Sequence, residues 1–157
     1  MDTSLKQLAT HFAKLYIHIA REVESRFGNE GKNAIREGIR NFSFERGKNI
    51  RKIVQSKNLP LNMDNYYGNF DNSLAEAGFN MNLDLRDWQA EGIVSHCPFA
   101  EIWKEMGEED LGRIYCEVDH DMLKGYNPEL KLERPENILD GSKKCVFHWT
   151  KREHNND

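Results

Sequence analysis

Apolar residues near the start of the chain recur in steps of three and four: Leu5, Leu8, Phe12, Leu15, Tyr16, Ile19 and Val23. That spacing predicts a helix over the first 27 residues with one apolar stripe. Ser4 with Gln7 makes a capping-box pattern at its start. Phe27-Gly28 closes it, because glycine accepts the left-handed conformation of a helix end. A second stripe, Ile35, Ile39, Phe42, Ile50 and Ile53 or Val54, predicts a second helix from about residue 29 to Lys57. Gly31, Gly38 and Gly47 lie in or beside it and imply close packing against the first helix, or a substrate approaching the backbone, since a helical glycine otherwise costs about 1 kcal/mol. Arg36, Glu37, Arg40, Glu45, Arg46 and Arg51 read as a solvated face.

Residues 57–78 are rich in Asn, Asp, Gly and Pro and predict a long connection, with one short helical turn near 73–77. A connection this long suits a lid, with Tyr66, Tyr67 and Phe70 pinning it or facing a ligand. The period then changes to two. Phe79, Met81, Leu83 and Leu85 alternate with polar residues on a strand, Trp88–Gly92 makes a turn, and 92–97 forms the second strand of a hairpin. Pro98 opens a helix that ends at Gly107. A further helix spans 108–124 and stops at Gly125-Tyr126-Asn127-Pro128. Leu130 and Leu132 mark a third strand, Asp140-Gly141 a turn, and Cys145, Phe147 and Trp149 a fourth strand.

Two helices, two strands, two helices and two strands predict an α+β fold: two N-terminal helices, then an antiparallel sheet of four strands with two helices between the strand pairs. With 157 residues, this is one domain over 1–150 and a polar, frayed tail over 151–157. Lys and Arg number 22 against 26 Asp and Glu. Charge so evenly mixed gives no footprint for nucleic acid or an anionic membrane. No apolar run is long enough to span a bilayer. The first residues lack the basic-then-apolar layout of a secretory signal, and three cysteines make no disulfide framework, so the expected compartment is the cytoplasm. Trp103, Trp149 and the loop aromatics leave room for a homo-oligomer surface.

Cys116, Asp119 and His120 are the first candidates for chemistry. On one helix, positions i, i+3 and i+4 share a face, so thiol, carboxylate and imidazole would meet within a turn. A neighbouring base can turn the thiol into the thiolate, the nucleophilic form. Cys97 precedes Pro98 at a helix start, where partial positive charge favours a thiolate. Cys145 shares a strand face with Phe147 and Trp149. No Cys-x-x-Cys pair occurs, but Cys97, Cys116, Cys145 and one of Asp119, His120 or His148 are the residues from which a zinc site would have to be built. Arg46, beside Gly47, can fork onto a carboxylate. His11 and His18 share a face of the first helix and read as surface residues.

Several short blocks stand in a recognisable order: Phe27-Gly28-x-Glu30-Gly31-x-x-Ala34-Ile35-Arg36, Arg46-Gly47-x-x-Ile50-Arg51, Cys97-Pro98, Tyr115-Cys116-x-x-Asp119, Tyr126-Asn127-Pro128 and Leu139-x-Gly141-x-x-x-Cys145-x-Phe147. Together, from about residue 10 to 149, they resemble the L-2-amino-thiazoline-4-carboxylic acid hydrolase family. The resemblance implies hydrolytic opening of a small cyclic amidine acid to a carbamoyl-cysteine, the expected enzyme being a hydrolase of a non-peptide C–N bond that attacks the C–N carbon of a small-molecule substrate, with no cofactor expected. Laid onto that chemistry, Cys116, Asp119 and His120 form the catalytic group. Arg46 or Arg51 takes the substrate carboxylate, Asn127 the amidine nitrogen, and Cys97 and Cys145 complete the substrate site. The last block is also similar to 4-vinyl reductase-like domains, which implies an alternative: a sensor or binding module for a small molecule or zinc, without catalysis.

Overall fold

The helical stretch α1 (Thr3–Ser56) is two helices joined at Gly28, whose φ of 56° and ψ of −131° suit a residue without a β-carbon. The expected stop at Phe27-Gly28 is therefore observed. The computed structural model describes residues 3–152. The Ser4 side chain and residues 153–157 lie outside what it describes, and with them the expected capping pair and most of the polar tail.

The buried face of the first half of α1 differs from the expected stripe. Ala9, Ala13, Ile17 and Ala20 are buried, while Leu8, Leu15 and Ile19 are 63%, 60% and 55% exposed. Alanines let a helix lie close on its neighbours, so the small-residue side enters the core and the larger residues form an open apolar edge. In the second half, Ile50 and Val54 are buried as expected, with Ser43, while Phe42 and Ile53 are exposed.

α2 (Met63–Gly68) follows, inside the stretch expected to be a connection. Asn62 caps it by accepting the Asn65 N–H, and Asn62 also donates to Asp87, which ties the helix to the sheet. β1 (Asn80–Arg86) and β2 (Gln89–His96) form the expected antiparallel hairpin. Its turn is Asp87-Trp88, not Trp88–Gly92, with Asp87 at φ 56°. Gly92 lies within the strand because the Trp149 ring crosses it, 2.9 Å from where a β-carbon would stand.

α3 (Pro98–Glu105), α4 (Glu109–Tyr115), α5 (Val118–Tyr126), β3 (Leu130–Glu136), a 3-10 turn (Ile138–Asp140) and β4 (Cys145–Lys151) complete the chain. The sheet order is β1-β2-β4-β3, antiparallel throughout, which gives the expected α+β class. Gly47 faces α5 and not the first half of α1, because a β-carbon there would fall 1.9 Å from the Met122 carbonyl oxygen. Gly31 does face that half, against the Val23 carbonyl, and Gly38 faces open space.

The single helix expected over 108–124 is two helices. At the break, the His120 N–H bonds to the Glu117 carbonyl three residues back. The Cys116 carbonyl, freed from the helical ladder, accepts from Arg134 of β3 at 2.7 Å.

Two cores result. In one, Ile50, Val54, Met122 and Tyr126 pack on the sheet face that carries Phe147 and Trp149. In the other, Ala13, Ile17 and Ala20 pack on Trp103, Leu111 and Ile114. Trp103 and Trp149 are buried in these cores, so neither belongs to the expected oligomer surface. Among the described residues, no helix is long and apolar enough to cross a membrane.

Candidate functional site

Where the two cores meet they leave a cavity of about 530 Å³. Both halves of α1 wall it, through Phe12 and through Phe42 and Arg46. The segment expected to be a lid forms part of the wall, with Tyr66, Tyr67, Phe70 and Leu74 on the cavity. Most of the lining is aromatic or aliphatic; the polar exceptions are a cluster of Cys116, Asp119, Arg134 and Asn137, and Arg46 with Asp71, Asn72 and Ser73.

The break between α4 and α5 sets this cluster. Cys116 ends α4 and Asp119 lies in the first turn of α5, and both line the cavity although no single helix carries them. Arg134, whose side chain is 4% exposed, organises the pair. One guanidinium nitrogen donates to the Cys116 carbonyl and, at 3.2 Å, to Asp119 Oδ2; the other reaches Glu117 Oε1 at 3.2 Å. The guanidinium also lies over the Phe147 ring, 5.7 Å from its centroid.

Burial and charge pull these groups in opposite directions. Burial raises the Asp119 pKa, and Arg134 opposes the rise. Asp119 keeps 37% of its side chain accessible, so it meets solvent while standing in dense protein. Burial also pushes the Cys116 thiol up to about 11, again against Arg134. At neutral pH the sulfur is therefore protonated, and Asp119 is a stronger base than an ordinary carboxylate.

The other expected site residues separate into two groups. Cys97 and Cys145 line the cavity, but each sulfur accepts a backbone N–H, from Ala100 at 3.4 Å and from Ile138 at 3.3 Å. Burial raises both thiols, Cys97 to about 12. Cys97 thus caps α3 and is not a thiolate. Arg46 lines the cavity, yet its fork is occupied by Asp71 at 2.7 and 2.5 Å. Two expectations are corrected. His120 is not on the cavity wall: beyond the helix break its Nδ1 stands 3.4 Å from Glu117 Oε2. Asn127 is buried elsewhere, donating to the Leu61 carbonyl and accepting from the Glu129 N–H. Among the described residues, no three His, Cys, Asp or Glu side chains converge as ligands for a metal.

Sequence reasoning missed Arg134 and Asn137. A signal for Arg134 exists, because Leu130, Leu132 and Arg134 alternate at period two and so share the inward face of a strand. Asn137 precedes the Asp140-Gly141 turn at a position suited to capping it.

The family model for L-2-amino-thiazoline-4-carboxylic acid hydrolase matches residues 9–149 of the chain. Among curated proteins none matches. Among solved structures, the chain is similar to a trafficking protein particle complex subunit 3 from Naegleria fowleri, described as covalently bound to palmitic acid. The TM-score is 0.54 at 12% identity, over 97% of this chain and 99% of that one. At that identity the likeness concerns the fold.

Proposed function

Because the chain belongs to the L-2-amino-thiazoline-4-carboxylic acid hydrolase family, we propose that it hydrolyses a small cyclic amidine acid with Cys116 and Asp119 as the reacting pair. The observation that carries this reading is that both line one cavity, with Arg134 bound to one oxygen of the carboxylate. Asp119 takes the thiol proton, and the Cys116 sulfur adds to the ring carbon between nitrogen and sulfur. The ring carbon–sulfur bond breaks and the departing sulfur collects the proton. Water then adds to the same carbon and expels Cys116, leaving a carbamoyl-cysteine. The sum is substrate plus one water. A shorter route has Asp119 deprotonate the attacking water directly, with Cys116 shaping the site. Arg46 holds the substrate carboxylate by exchanging Asp71 for it.

The test is turnover of L-2-amino-thiazoline-4-carboxylate, followed by the mass of the product. The expected outcome is turnover by the parent chain and a loss of at least about 100-fold in Cys116→Ser and in Asp119→Asn. Loss in Asp119→Asn alone selects the direct water route. No turnover by the parent removes the reading.

A second reading is favoured by the wall of the cavity, which is far more apolar than a small ring acid needs. Here the chain is a binding module for an apolar ligand whose polar end meets Cys116 and Arg134. The structural neighbour, with its covalently bound palmitic acid, supports it. Trp103 and Trp149 line the cavity and supply the readout. Quenching of tryptophan emission by micromolar decanoic acid, with no thiazoline turnover, selects this reading.

A further inference from the structure

The cavity wall holds a polar atom with nothing to bind. Asn137 is 3% exposed, and its amide orientation is fixed: Oδ1 accepts the Leu139 N–H at 2.8 Å, so Nδ2 must turn the other way. Nδ2 is buried without a hydrogen-bond partner, and so is Nη1 of Arg113. Folded chains rarely leave buried donors idle. Asn137 lines the cavity with Cys116 and Asp119. Asn137 and Arg113 both favour the ionised Cys116 sulfur over the neutral thiol.

We infer that Asn137, backed by Arg113, is the donor that receives negative charge on the Cys116 sulfur and so converts a buried thiol into a nucleophile. The inference rests on Cys116 being the reacting sulfur. A neutral thiol is a poor acceptor, so Asn137 Nδ2 stays unmatched while Cys116 is protonated, and Arg113 Nη1 has only the long ion pair to Glu117 Oε1 at 3.8 Å. The thiolate would accept from Nδ2 and attract the Arg113 guanidinium. The S–H bond breaks and its proton passes to Asp119 Oδ1, because Oδ2 is held by Arg134. Nothing is oxidised and no net charge enters the site. Asn137 would then share the sulfur with the other groups that face it. These are Arg134 from β3, Asp119 from α5, Tyr115 from α4, Tyr16 from α1 and Cys97 before α3. Arg134 and Arg113 lower the Cys116 pKa along with Asn137, while burial and Asp119 raise it.

The experiment is alkylation of the intact protein by iodoacetamide, read at each cysteine by peptide mass over about pH 8 to 9.5. On this limb the rate follows the thiolate fraction, so a pKa rise of one unit slows labelling tenfold. Asn137→Ser keeps an oxygen able to cap the 3-10 turn but removes the Nδ2 amide donor, leaving only a shorter hydroxyl in its place. Cys116 should then label about tenfold more slowly, with Cys97 in the same spectrum unchanged. Arg113→Gln should slow it several-fold. Loosening of the fold would act in the opposite direction, exposing Cys116 and speeding its labelling. If the Asn137→Ser limb superposes on the parent limb, or lies above it, the inference is overturned. Slower labelling combined with full thiazoline turnover in Cys116→Ser would keep the role of Asn137 and reject Cys116 as the catalytic nucleophile.

Discussion

The two ends of the cavity are built on different physics. At the inner wall, Arg134 binds the Cys116 carbonyl, Asp119 and Glu117 together, so moving any one of them breaks an interaction of another. At the open end, the exposed Leu8 and Phe12 of α1 line the cavity along with Phe70 and Leu74, side chains that carry no hydrogen-bonding group. Charged hydrogen bonds are directional and costly to leave unmade, whereas dispersion is spread over many weak contacts. On the proposed reading, the inner wall fixes where the chemistry takes place and the open end controls what fits. The two should respond to mutation independently.

The largest effect is expected at the inner wall. Arg134→Met keeps much of the apolar stem but removes the guanidinium. The part-buried Cys116 carbonyl then loses its partner, and Asp119, 37% exposed, loses its counter-ion. Removing one member of a buried ion pair costs about 3–5 kcal/mol. Glu117 is half exposed and rehydrates, so the expected loss lies near the lower end, about 3 kcal/mol by urea unfolding. A loss below about 1 kcal/mol would show that the inner wall is no more rigid than the open end.

Which parts of this contrast were legible in the sequence follows from how local each signal is. The break at Gly28, the helix start at Pro98 and the stop before Pro128 depend on the backbone preferences of single residues, and all three are observed. The alternation in β1 also stood out, because one face of that strand is half-buried. Which face of α1 is buried did not. Its apolar arc is wide, and only the tertiary partner decides between the alanine side and the leucine side. The break at Cys116 and Glu117 carries no glycine or proline; an arginine 18 residues away takes up the freed carbonyl. Cys116 and Asp119 consequently meet at the cavity while His120, one residue further on, does not.

The open end supplies the next effect. Phe12 is 38% exposed and touches Phe99 and Tyr115, each with ring centroids 5.5 Å from its own. Phe12→Ala removes half of each of these pairs. Full burial of a phenylalanine would put the cost at about 3–5 kcal/mol; this partly exposed one should cost about 1–2 kcal/mol. Decanoic acid, read by tryptophan quenching, should bind several-fold more weakly. Alkylation of Cys116 should keep its rate, and a changed rate would mean that the two ends are coupled.

The smallest effect bears on the electrical tension of the inner wall. The Asp119 pKa is raised in the folded chain, mainly by burial. Its ionised form is therefore less favourable folded than unfolded. The stability linked to this group is fully present below the ordinary carboxylate pKa of about 4, and it is lost as pH rises through the folded value. Asp119→Asn has no ionisable group at this position. It loses the Arg134 ion pair at every pH at which that pair exists, but it is spared the growing cost of burying a charge. The melting temperature of Asp119→Asn minus that of the parent should therefore climb as pH rises above about 4, and level off once Asp119 is ionised in the folded chain. The other carboxylates titrate in both proteins and cancel in the difference. A difference that falls over this range would mean that Arg134 outweighs burial. Asp119 would then be an ordinary structural counter-ion, and the inner wall would have no strong base to offer a thiol.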